Sequence, residues 1–124
     1  MKKLLLGVAL MCASIAGLAE EFSTADTNRE VVFQALNIVD WAQTRYMSHH
    51  PDQYYEMESA QFMGSSHPTS GKVDAYMAES AVLHLIVSKL LPAGAWREAF
   101  QYITIGGKLN ATIGNASIGI KMDF

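Results

Sequence analysis

The chain has 124 residues, half of them hydrophobic, with 12 acidic against 9 basic side chains and a formal charge of −3. That length suits one domain with one modest core, and an acidic chain without basic clusters argues against electrostatic binding to nucleic acid or anionic lipid. The single cysteine, Cys12, excludes an intrachain disulfide.

Residues 1–19 read as an export signal. Lys2 and Lys3 form a positive start, Leu4 to Leu18 an apolar stretch, and Gly17-Leu18-Ala19 places small residues where a signal peptidase inspects them. Cleavage is expected before Glu20, and the competing reading is an uncleaved N-terminal anchor. Met11 ahead of Cys12 is a poor fit to a lipoprotein signal, so Cys12 is expected to leave with the signal. Loss of Lys2 and Lys3 then takes the formal charge from −3 to −5. Residues 20–124 are expected to form a single exported domain.

A first helix is predicted over Thr27 to His50. Thr27-Asn28-Arg29-Glu30 has the T-x-x-E form of a capping box, and Pro51 ends the run. Val32, Leu36, Val39 and Tyr46, with Ala35 and Ala42 beside them, form the predicted apolar face. Arg29, Gln34, Asn37 and Arg45 fall mostly on the other side. Asp40 sits at the margin of the apolar face, where an acid is costly to bury unless it is paired; Thr44, one turn on, and a neighbouring helix are the candidate partners.

His49 to Gly71 reads as a long connection, with Pro51 able to open one helical turn and Gly64 to Gly71 rich in turn chemistry. It holds His49, His50, His67, Glu56 and Glu58, a loose set of weak candidate metal ligands without the fixed spacing of a metal motif. A second helix is predicted over Val73 to Leu91, capped by Thr69 or Ser70 and stopped by Pro92. Its stretch from Val82 is apolar nearly all round, which predicts the most buried piece of the fold. Ser80, His84 and Ser88 share one stripe, where small residues would let another helix approach. Only about nine uncharged residues separate Glu79 from Lys89, short of the roughly 20 of a membrane span.

A third helix starts near Ala93. Gly106-Gly107 is either a weak point within it or the loop of a hairpin joining 102–105 to 108–113; the helix, continuing to about Asn110, is the favoured reading. Ile118, Ile120, Met122 and Phe124 alternate with Gly119, Lys121 and Asp123 at strand period. The remaining chain cannot supply a barrel, so this reads as an extended tail laid across the helices.

If the first two helices form an antiparallel hairpin, Asp40 and His84 both lie near the midpoints and are predicted to meet. A carboxylate orienting an imidazole is half of a general-base pair or a metal shell, and equally a good buried hydrogen bond. No nucleophile elbow or phosphate loop is present.

Asp40-x-x-Gln43-Thr44, Glu56 with Gly64 and His67-Pro68-x-Ser70, Val73-Asp74-x-Tyr76, His84, Leu91-Pro92, Trp96-Arg97 and Phe100-Gln101 together resemble a group of small helical proteins encoded by bacteria and their phages. The likeness spans about residues 35 to 120. It departs from the group at Glu56-Met57-Glu58-Ser59-Ala60, where an Asn-Pro turn would follow the acid. The resemblance implies a helical architecture and a membrane setting, and no activity.

The expected fold is therefore all-α: an antiparallel helical hairpin with a third helix packed across it and a short strand-like C-terminal tail. The expected function is a non-enzymatic cell-envelope structural or interaction protein. Its expected partners are another envelope protein or the membrane, and its expected compartment the periplasm, with membrane association the alternative. The competing function is a metal-binding or hydrolytic enzyme using Asp40, His84 and Glu56.

Overall fold

The computed structural model describes residues 21–54, 64 and 67–124. Three helices make up the fold: α1 (Thr24–Ser48), α2 (Ser70–Leu90) and α3 (Ala95–Ser117). The expected all-α bundle is what forms, with no strand among the described residues. Each helix is more than 20 residues long, which is about 30–38 Å of rod. The predicted signal, Glu56 and Glu58 lie outside the described residues.

α1 starts earlier than predicted. Its capping box is Ser23 with Asp26: the Ser23 hydroxyl accepts from the Asp26 amide, and Asp26 accepts from the Ser23 amide. Glu30, freed from capping, points inward instead. α2 takes Thr69, one of the two expected caps, and begins at Ser70, three residues before the expected start at Val73. α3 runs through Gly106-Gly107 and on to Ser117, so the hairpin alternative does not form and the helix passes well beyond Asn110. The tail after Ser117 lies across α1, with Ile120 buried and the Asp123 amide donating to the Ala42 carbonyl.

The helix faces overturn the sequence reading. Buried residues of α1 fall alternately four and three apart at Asp26, Glu30, Phe33, Asn37, Asp40, Thr44 and Met47, which is the seam spacing of packed helices. Most of that seam is polar. Val32, assigned to the core face, is 47% exposed, Val31 and Ile38 are more so, and Ala35 is exposed too, while Asn37, assigned outward, is buried. In α2 the apolar run from Val82 is not the most buried piece: Leu83, Val87 and Leu90 are exposed, and the buried positions are Val82, His84 and Ser88. In α3, Arg97, Gln101 and Thr112 are buried while Trp96, Tyr102, Ile103, Leu109 and Ile113 face outward. The interior is mixed: the α1 and α3 seams are largely polar, α2 buries Val73, Met77, Ala78 and Val82 against them, and many apolar side chains face outward.

Both α2 and α3 pack on α1 and touch each other little. The α1–α2 register is antiparallel, set by Gln34 against Ala81, Asn37 against Met77 and Trp41 against Asp74. α3 runs parallel to α1, with Arg97 level with Asp26, Lys108 with Asp40 and Asn115 with Gln43.

Candidate functional site

A buried polar group costs free energy unless it finds a partner, and a buried charge costs more. The interior meets this demand level by level. At the N-terminal end of α1, Arg97 is fully buried and donates from Nη1 to Asp26 at 3.0 Å, from Nε to the Ser88 carbonyl at 2.7 Å and from Nη2 to the Leu91 carbonyl at 3.0 Å. One guanidinium therefore joins α1 to the loose C-terminal carbonyls of α2. Arg29 bonds both Asp26 and Gln101.

One turn higher, His84 Nδ1 donates to Glu30 at 2.9 Å, and Nε2 lies 2.7 Å from the Thr104 hydroxyl. The imidazole is stacked between two rings, 3.4 Å from the Phe33 centroid and 4.8 Å from that of Phe100. Gln34 and Ser88 also donate to Glu30. Burial pushes Glu30 toward its neutral form, but the donors His84, Gln34 and Ser88, with the charge of the imidazole, outweigh that and hold its pKa below the ordinary glutamate value.

Higher still, Lys108 Nζ donates to Asp40 at 2.6 Å, while Thr44 is a distant partner at 3.5 Å. Toward the other end, Asp74 accepts from Arg45 and from the Trp41 indole. Burial raises its pKa and these two donors lower it further, leaving it below the usual aspartate value. Among the described residues, the buried side-chain atoms without a partner are Asn37 Oδ1 and Arg45 Nε.

The predicted Asp40–His84 contact does not form. Asp40 lies four residues past the midpoint of α1, and His84 four past the midpoint of α2. In an antiparallel pair those offsets run in opposite directions and separate the two by roughly 12 Å of helix. Both residues nevertheless line one groove of about 450 Å³, left open where α2 and α3 diverge over α1. Thr104, Lys108 and Glu79 line it too.

Glu30–His84–Thr104 has the order of a carboxylate, imidazole and hydroxyl triad. The Thr104 hydroxyl oxygen lies 2.8 and 3.0 Å from the Phe100 and Gln101 carbonyls of its own helix as well as 2.7 Å from His84 Nε2, so its single proton is shared among three acceptors on the interior side of the groove.

The weak metal candidates are not brought together. His49 pairs with Asp123 of the tail, and His50 bonds the Tyr46 carbonyl and stacks on that ring. His67 is exposed and engaged elsewhere. Among the described residues no three metal-capable side chains cluster.

Reading by residue type missed Glu30, Thr104 and Lys108, and it did not single out Arg97 and Gln101 outside the resemblance. The signal that finds them is spacing: polar residues at strict four-three intervals mark a seam as apolar ones do. No family model, curated protein or solved structure matches the chain.

Proposed function

We propose that this protein is a non-enzymatic cell-envelope interaction module that works in contact with the membrane, its apolar exterior covered by lipid. The observation carrying this reading is the number of large apolar side chains exposed on the bundle. Water favours apolar side chains inside, and a large exposed apolar area on a bundle is the informative departure from that rule. Ile103 and Trp96 are each 73% exposed and Leu90 66%, and such residues lie on the outer faces of all three helices. A single protein partner covers one face, whereas a lipid phase meets every face. The interior supports the same reading, because ionisable residues in lipid turn toward the bundle axis and pair with one another.

No described helix is long and apolar enough to cross a membrane. Export by residues 1–19 belongs to this proposal, as does the envelope setting that the resemblance implies. The alternative enzyme reading has less support, since Asp40 and His84 do not meet and engage Lys108 and Glu30 instead.

Fractionation tests the proposal. The protein is expected in the membrane pellet after an alkaline carbonate wash and in solution only with detergent. Cysteines introduced at Val32 and Ile103, carrying a fluorophore, are expected to be quenched by lipid-chain quenchers. Recovery of the folded protein in the aqueous fraction, with no quenching, would overturn it.

A further inference from the structure

Exposed side chains are not evenly sorted along the middle of the bundle. On α1 the exposed residues between Asn28 and His49 are Val31, Val32, Ala35 and Ile38, none of them polar. On α3 no exposed residue between Glu98 and Lys121 is charged. On α2 one exposed charge stands between Lys72 and Lys89, and it is Glu79, which lies on the groove between α2 and α3.

The groove is also where the polar interior reaches the surface. Asp40, Ser80, His84, Thr104 and Lys108 line it, beside Leu83 and Val87. α1 contributes Phe33 and Asp40 to its floor. Val31, Ala35 and Ile38 stand roughly 140–160° round the helix from Phe33. The back of α1, which is wholly apolar, and the groove, which is largely polar, therefore face opposite ways.

Water satisfies an exposed carboxylate and hydrocarbon does not. A bundle wrapped evenly in lipid would press Glu79 against acyl chains. A bundle lying in one surface of the membrane can turn it to water, as interfacial amphipathic helices turn their polar faces. We infer that the bundle lies in the membrane surface with one fixed side down: the back of α1 meets the acyl chains, and the α2–α3 groove opens to water. Lipid then meets the outer faces of all three helices but not the strip where α2 and α3 part. This rests on the lipid-contact reading above and adds to it which side the lipid takes.

The test places single cysteines at Ile38 and Leu83 of the full chain, with the native cysteine removed as Cys12→Ser. Both positions are more than half exposed, so neither change disturbs the interior, and Glu79 is left intact. Each cysteine carries a nitroxide spin label, and the protein is bound to phosphatidylcholine vesicles. Collisions with oxygen, which concentrates among acyl chains, are compared with collisions with a water-soluble nickel chelate. The nickel-to-oxygen ratio is expected to be at least fivefold higher at Leu83 than at Ile38. Ile38→Asp is expected to weaken vesicle binding at least tenfold, and Leu83→Asp to leave it within twofold. A ratio equal at the two positions overturns the inference. If both labels then lie in lipid, membrane contact stands without a preferred side; if both lie in water, along with labels at Val32 and Ile103, that reading falls as well. Equal loss of binding from the two aspartate variants would also overturn the preferred side.

Discussion

Arg97 is the sharpest test of an interior held by polar contacts. Its side chain is fully buried and makes four polar contacts: Asp26 Oδ2 and the carbonyls of Ser88, Lys89 and Leu91. Arg97→Met keeps the stem and removes the fork. The Ser88 carbonyl then loses its donor inside the bundle, at about 1–3 kcal/mol for an unsatisfied buried group. Asp26 loses one of its cations but keeps Arg29 and the Ser23 amide. Its cost therefore falls below the 3–5 kcal/mol typical of breaking a fully buried pair. Together these give a destabilisation of about 3–4 kcal/mol. Arg97→Lys keeps the charge, but one ammonium cannot face Asp26 and three carbonyls at once, so about 1–3 kcal/mol should still be lost. Thermal unfolding followed by circular dichroism, in neutral detergent where needed, reads both. A lysine variant as stable as wild type, or a methionine variant within about 1 kcal/mol of it, would show that the guanidinium is not what ties α1 to the end of α2.

Asp40→Asn should cost about 1 kcal/mol, because an amide oxygen still accepts from Lys108 but the counter-charge is lost, whereas Asp40→Leu should strand that ammonium without an acceptor and cost about 1–3 kcal/mol in the same melts. A double variant with Lys108→Met should recover part of the loss. Gly106→Ala should stabilise by about 0.5–1 kcal/mol, since its new methyl meets nothing within 4 Å and the unfolded chain loses freedom; a lower melting temperature would count against an open face there. Acid should unfold the bundle: Asp26, Glu30 and Asp74 have folded pKa values below their ordinary ones. Their stabilisation is complete above the ordinary carboxylate range and is lost as pH falls through the depressed values. Helicity against pH should show that loss, and Glu30→Gln should flatten part of it.

The fold was legible where local chemistry decides it. Thr69 caps α2, Pro92 lies just past its end, and α3 continues through two glycines because the chain on both sides is helical in pattern. Faces were not legible, because the rule that apolar residues point inward was applied to a chain whose seam is polar. Val32, Leu36 and Val39 make a plausible stripe by hydrophobicity, yet Glu30, Phe33, Asn37 and Asp40 make a better one by spacing, and the structure buries the second. The burial of Asp40 and His84 is readable from their places beside apolar neighbours. Their partners are not, since a register error of two turns is invisible without knowing where each helix begins. Glu30 was hidden by a false cap: Thr27-x-x-Glu30 satisfies the motif, but Ser23-x-x-Asp26 lies one turn earlier and takes the role.

A polar seam also explains how so small a bundle holds one arrangement. Apolar side chains attract one another at almost any offset, so a greasy three-helix bundle can slide by a turn at modest cost. Here the matched pairs sit at separate heights: Asp26 with Arg97, Glu30 with His84, Asp40 with Lys108 and Asp74 with Arg45. Sliding α3 by one turn along α1 would unpair Asp26 and Asp40 together. Sliding α2 would unpair Glu30 and Asp74. The stranded charges of Asp26, Arg97 and Glu30 would then be almost wholly cut off from water, the condition in which unpaired ions cost most. If lipid covers the exterior, burial no longer distinguishes inside from outside, and packing with interior hydrogen bonds must select the register. The four pairs, each at its own height, are then what holds the helices in place.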